Sequence, residues 1–173
     1  MVEDFTSDRI GLLDTLKTFT EGAVKNLILP TRIQKEGEEP LYRAADVYKM
    51  RLPDKDAKSA MKKAPYIIHQ LITARDAQPI GERASSSAVV RSIFCVYNGE
   101  DSQEGSLMLL NLSERFRIPL LKTLSIGNRY ALDLAPQPLE LLIYPDDTAP
   151  YFLGEMVSNW IIPPIEREVR PWV

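Results

Sequence analysis

The sequence predicts a single α+β domain, with two main helices packed on one face of a mainly antiparallel β-sheet and an extended C-terminal tail. Its 173 residues suit one domain with one core, and 45% of them are hydrophobic against 26% charged, as in folded proteins. Two segments place apolar residues at helical spacing, whereas the other apolar runs are short and typical of strands. Strands and helices do not alternate regularly, which argues against a parallel, doubly wound sheet.

Residues 1–64 are predicted to form a helix followed by an irregular insertion. Ser7 precedes apolar residues at helical spacing, which predicts an amphipathic helix from about residue 7 to residue 27. Pro30 marks its end. Polar and turn residues dominate the insertion, apart from a run at residues 47–50 that predicts a short strand.

Residues 65–162 are predicted to form the core sheet and the second helix. Residues 66–75 and 89–97 are rich in β-branched and aromatic side chains, which predicts two antiparallel strands joined by a long polar loop from Asp76 to Ser87. A helix then starts at Asp101-Ser102 and runs to about Ile118, because Pro119 ends or kinks it.

Three further apolar runs predict the remaining strands. They are residues 130–132, 139–144 and 151–162. Alternation in the last run places Phe152, Met156, Trp160 and Ile162 on one side and Glu155 and Asn159 on the other, which is typical of a half-buried strand. Residues 163–173 contain three prolines and predict an extended tail.

Charge and hydropathy favour a protein made and folded in a reducing cytoplasm. The 21 Lys and Arg residues do not exceed the 24 Asp and Glu residues, so the net charge of −3 disfavours obligate nucleic-acid binding. A local basic cluster is the exception, and it is interpreted as a solvated loop or, alternatively, as a loop close to DNA. Its members are Lys55, Lys58, Lys62 and Lys63. Because residues 1–4 are followed by no apolar signal-like region and no apolar run is long enough for a membrane span, we expect a protein that is neither secreted nor membrane-spanning.

Residues suited to catalysis are few, so we expect neither an enzyme nor a cofactor. His69 is the single histidine and lies in a predicted strand, and Cys95 is the single cysteine and lies in another. One of each does not make a zinc site. Asp146, Asp147 and Glu155 allow the alternative of a divalent-metal nuclease, although the first two also suit a turn between strands.

Several short motifs carry a resemblance to a known family. They are Gln103-Glu104-Gly105 with Leu-Leu-Asn-Leu at residues 109–112, Pro138-Leu139, Tyr144, Pro-Tyr-Phe-Leu-Gly at residues 150–154, Trp160 and Pro163. Over about residues 65–168 the chain resembles the tail terminator, or tail completion, proteins of long-tailed bacteriophages and related prophage tail-like particles.

This resemblance implies a structural protein of the virion tail or neck. Six copies would form a ring that caps the tail tube, stops its polymerisation and offers a surface for head–tail joining. The implied partners are the tail tube protein, sheath and head-connector proteins, and DNA only as it passes through the ring. Trp172 and Arg170 of the tail and Ile80 and Arg83 of the polar loop are the interface residues we expect. A head–tail connector or another tail assembly protein of the same particle is the alternative.

Overall fold

The computed structural model describes residues 7–32, 35–53, 61–145 and 148–168. Within these ranges the predicted α+β fold is confirmed: two helices cover one face of a mainly antiparallel, curled sheet. The elements are α1 (Asp8–Val24), β1 (Leu29–Pro30), β2 (Tyr42–Arg43), β3 (Asp46–Lys49), a 3-10 helix (Met61–Lys63), β4 (Tyr66–Ala77), β5 (Ser85–Tyr97), α2 (Ser102–Thr123), β6 (Ser125–Ile126), β7 (Tyr130–Leu132), β8 (Leu139–Ile143) and β9 (Tyr151–Ile162). None of the helices in this part of the chain combines the length and hydropathy needed to cross a bilayer.

Strand β9 is the centre of the main sheet. It pairs along its whole length with β5, from Ser86 opposite Ile162 to Tyr97 opposite Tyr151. Its other edge is divided between β8 and β7. The strand order is therefore β3-β4-β5-β9-β7-β6, with β8 beside β9, and β3 with β4 is the parallel pair in this order. Strands β1 and β2 form a separate two-stranded sheet.

The core lies between the two helices and the sheet. Phe116 of α2 contacts Phe19 of α1 and Phe94 of β5, with ring centroids 6.5 and 5.9 Å apart. Trp160 of β9 is fully buried, and its indole nitrogen donates a hydrogen bond to Ser158 at 2.8 Å. Each of these large side chains contributes several kcal/mol of burial free energy, about 25 cal/mol for each Å² of apolar surface removed from water. The core therefore depends on packing between α1, α2 and the central strands.

Alternation along β9 is confirmed. Met156, Trp160 and Ile162 are buried in the core, whereas Glu155 and Asn159 are half-exposed on the opposite face. Residues 163–167 continue from β9 without regular secondary structure, as the prolines predict.

Helix α1 is shorter than predicted. Ser7 caps it as expected, since its hydroxyl accepts a hydrogen bond from the backbone N–H of Ile10 at 3.3 Å. The helix ends at Val24 rather than near residue 27. Leu29 explains the difference, because it is buried in the core and pairs with Arg43 in the small sheet.

Helix α2 is longer than predicted, and Pro119 does not end it. Asp101 caps the start by accepting from the backbone N–H groups of Gln103 and Glu104. Residues on both sides of Pro119 are buried in the core, Phe116 and Leu120, so packing keeps the last turn helical despite the missing N–H. The helix ends at Thr123, where Leu124 adopts a left-handed conformation and donates to the Leu120 carbonyl at 2.9 Å.

The predicted long loop from Asp76 to Ser87 is wrong. Strand β4 extends to Ala77 and β5 starts at Ser85, so only residues 78–84 connect them. Ser86 and Ala88 alternate inward although the run is polar, and the Ser86 hydroxyl donates to Asp76 at 2.7 Å. Small polar residues led to the prediction of a loop, but pairing with both β4 and β9 makes this segment a strand.

Candidate interaction surfaces

The single histidine is part of the core. His69 of β4 is fully buried between α1 and the sheet, and its ring lies 5.4 Å from that of Phe116. Its Nε2 atom is 2.7 Å from the hydroxyl of Thr20, and its Nδ1 atom is 2.7 Å from the hydroxyl of Ser92. His69 thus lies in a strand, as predicted, and its ring is part of the core.

The hydrogen bonds of Thr20 fix the tautomer of His69. The Thr20 hydroxyl donates to the Leu16 carbonyl at 2.7 Å, so it accepts from the Nε2–H group of His69. Nδ1 is then the acceptor for the Ser92 hydroxyl. Burial lowers the pKa of His69 to about 3, which keeps the ring neutral. Ser92 and Thr20 are also fully buried, so the contact between Thr20 and His69 ties α1 to the sheet, and the contact between Ser92 and His69 lies inside the core.

The carboxylate of Glu155 interacts with two neighbouring side chains. The hydroxyl of Tyr144 donates to its carboxylate at 2.9 Å, and a guanidinium nitrogen of Arg91 lies 3.8 Å from the same oxygen. Burial, followed by the hydrogen bond to Glu155, raises the pKa of Tyr144. Within the described ranges, no group of three or more His, Cys, Asp or Glu side chains is placed to hold a metal ion. Asp146 and Asp147 lie outside those ranges, so the nuclease alternative stays untested.

Helix α2 exposes a row of aliphatic side chains on the side that faces away from the core. Leu107 is 53% exposed, and Leu110 and Ile118 are each 42% exposed. Helical spacing places these three residues, which we call the α2 stripe, opposite the buried Leu109 and Phe116. The prediction of this helix did not include its exposed side. The sequence of α2 contains the stripe as a second row of apolar residues at helical spacing, and this row could have predicted it.

Part of the sheet face opposite the helices is exposed among the described residues, beside a second buried cluster that includes Cys95. Leu142 of β8 lies opposite Glu155 of β9, so the two side chains share this face, together with Val157 and Ile161. Leu142 is 53% and Ile161 is 50% exposed. We call Leu142, Val157 and Ile161 the outer patch. The domain thus presents apolar surface on two opposite sides.

The turn between β4 and β5 carries two of the predicted interface residues. Ile80 is 86% exposed, and Arg83 is also exposed. The chain after β9 runs beside this turn, where Gln78 donates to the Ile165 carbonyl at 2.8 Å and Arg167 donates to both the side chain and the backbone carbonyl of Gln78. The structure therefore brings the predicted loop and the start of the tail together. Trp172 and Arg170 lie outside the described residues.

Two of the four lysines of the predicted basic cluster lie within the described residues. Two arginines that the prediction did not include lie beside them. Lys62 and Lys63 end the 3-10 helix and line a surface pocket with Arg32 and Arg43. Pairing of β1 with β2 brings the two arginines there from a distant part of the sequence. Lys55 and Lys58 lie outside the described residues, so the wider basic loop is not tested.

In comparisons of this sequence with models of known protein families and with curated proteins, no significant match was found.

Proposed function

We propose that this protein is a structural tail terminator, a subunit that joins identical copies into a ring at the end of a tail tube. The ring stops tube polymerisation and provides the surface for head–tail joining. The observation that carries this proposal is the pair of exposed apolar surfaces on opposite sides of the domain, the α2 stripe and the outer patch. The sequence motifs that resemble tail terminator proteins supply the specific role.

Two different surfaces are what a closed ring requires. In a ring, a patch on one copy binds a different patch on the next copy, whereas a two-fold dimer uses one patch twice. Exposed aliphatic side chains on both sides of a small domain, here interspersed with Glu114 and Glu155, are typical of surfaces that become covered on association. The α2 stripe is convex and narrow, and the outer patch lies on a broad sheet face, so the stripe of one copy is suited to pack on the sheet of its neighbour.

Charged substitutions in each surface test the ring. We expect Leu110→Asp, in the α2 stripe, and Leu142→Asp, in the outer patch, each to abolish rings in native mass spectrometry while leaving the far-ultraviolet circular dichroism unchanged. Ile10→Asp is the matched control, because Ile10 of α1 is 53% exposed and belongs to neither surface. The control should form rings like the unchanged protein.

Mixing the two variants distinguishes a head-to-tail interface from a two-fold one. Each variant retains the surface that the other lacks, so an equimolar mixture should form one good interface and stop at a heterodimer. A two-fold interface gives no heterodimer, because both partners need the same intact patch. A protein that stays monomeric at every concentration, alone and with tail tube protein, would contradict the proposal.

Tube length separates a terminator from the alternative of a head–tail connector. Addition of the protein to polymerising tail tube protein should cap the tubes and limit their length in electron micrographs. Loss of the gene in a producing strain should give overlong tubes. A connector instead leaves tubes of normal length that fail to join heads, and that result would favour the alternative.

A further inference from the structure

The pocket beside the 3-10 helix concentrates positive charge in a protein with a net charge of −3. It has a volume of about 280 Å³ and lies between the small β1–β2 sheet, the start of β3 and the 3-10 helix. Four cationic side chains line it, Arg32, Arg43, Lys62 and Lys63, and Asp46 is the carboxylate among the lining residues. The cations therefore outnumber the carboxylate.

Arg43 builds the pocket and neutralises its carboxylate. Its guanidinium donates to the carbonyls of Lys63 at 2.6 Å, Ala44 at 3.1 Å and Pro65 at 3.2 Å, which fixes the end of the 3-10 helix beside β2. It also forms an ion pair with Asp46 at 2.7 Å. Because Arg43 uses its donors in these contacts, it is a positioning residue, and its ion pair engages Asp46, the carboxylate that lines the pocket.

Arg32 and Lys62 are the side chains that remain available to a ligand. Both are exposed, and neither has an ion-pair partner among the described residues. Arginine and lysine bind phosphate by charge-assisted hydrogen bonds, the arginine through two parallel N–H groups. The charges of these two side chains therefore point to an anion with several oxygen acceptors.

We propose that this pocket binds the phosphate groups of a nucleic-acid backbone. Long, flexible side chains at an open pocket hold a single small anion weakly, but a chain of linked phosphates gains from binding at neighbouring cations together. The contacts that we infer are between these cations and the phosphate backbone, and such contacts do not read the base sequence. The inference rests on the charge of the pocket and does not require the proposed ring.

DNA binding by a matched pair of variants tests this inference. Binding of a fluorescein-labelled DNA oligonucleotide is measured by anisotropy over a range of salt concentrations. The double variant Arg32→Gln, Lys62→Gln should bind about tenfold or more weakly and reduce the magnitude of the slope of log affinity against log salt by about 1.4 to 1.8, because each lost phosphate contact removes about 0.7 to 0.9. Lys25→Gln, Lys122→Gln removes the same charge from exposed sites outside the pocket and should retain most of the affinity.

Competition identifies the source of the phosphate. At constant ionic strength, inorganic phosphate should displace DNA no better than chloride does. Tight binding of inorganic phosphate without DNA binding would overturn the choice of a nucleic acid as the ligand. Equal losses of DNA affinity in both double variants would overturn the assignment of the binding site to the pocket.

Native mass spectra of the same proteins separate this proposal from the proposed ring. Rings that do not bind DNA would refute only the proposal that the pocket binds DNA. Monomers that bind DNA through the pocket would refute only the proposal of a ring.

Discussion

Mild acid should destabilise this protein through one buried side chain. His69 is the single histidine, and burial lowers its pKa from 6.5 to about 3 in the folded state. As pH falls below 6.5, the unfolded chain takes up a proton on this residue and the folded chain does not. Stability is therefore complete above pH 6.5 and is lost progressively as pH falls towards 3.

The size of the effect follows from the pKa difference. A group that is protonated only in the unfolded state changes the free energy of unfolding by about 1.4 kcal/mol for each pH unit below its unfolded pKa. At pH 5.0 the protein should be about 2 kcal/mol less stable than at pH 8. Carboxylates with lowered pKa values, such as Asp8 and Glu114, act in the same direction but at lower pH. The range from pH 6.5 to 5 thus isolates His69.

Urea unfolding at pH 8, 6 and 5 measures this slope. His69→Gln is the matched variant, because the amide keeps a donor and an acceptor for Thr20 and Ser92 but does not titrate. We expect the variant to be less stable than the unchanged protein at pH 8 and to have nearly constant stability down to pH 5. A flat profile for the unchanged protein, or an equal slope in His69→Gln, would refute the assignment of the acid sensitivity to this buried ring.

Two further predictions concern local structure and use thermal or urea unfolding. Gly105→Ala should cost about 1–3 kcal/mol, because a β-carbon there overlaps the ring of Phe152. Gly22→Ala, in an open part of α1, should instead stabilise by about 0.5–1 kcal/mol, and equal effects at both glycines would contradict the packing. Asp101→Ala should cost about 1 kcal/mol, because it removes the cap of α2, whereas Asp101→Asn should retain most of the stability.

Patterns of large side chains made most of the fold predictable. Alternation in residues 151–162 identified the faces of β9. Met156 and Trp160 are four residues apart, so they lie on the same face of the strand, and two large apolar side chains mark that face as the buried one. The cap at Asp101 and the spacing of Leu109 and Phe116 identified α2. These signals are local, so a single sequence contains them.

Features that depend on distant partners were missed or misjudged. Ser85–Ala88 has the composition of a loop and becomes a strand because it pairs with β4 on one side and, from Ser86, with β9 on the other. Pro119 is a helix breaker in isolation, but the burial of Leu120 keeps it within α2. The basic pocket needs Arg32 and Arg43 beside Lys62, and no spacing in the sequence indicates that contact.

The central position of β9 has a consequence for synthesis on the ribosome. Strands β5, β7 and β8 all precede β9 in the chain, yet each forms hydrogen bonds to it. While translation proceeds, the long edge of β5 has no partner, and such edges associate readily with other chains. The sheet therefore closes only after residue 162 has left the ribosomal tunnel, so nascent chains that stall before this point are the species most in need of chaperone protection.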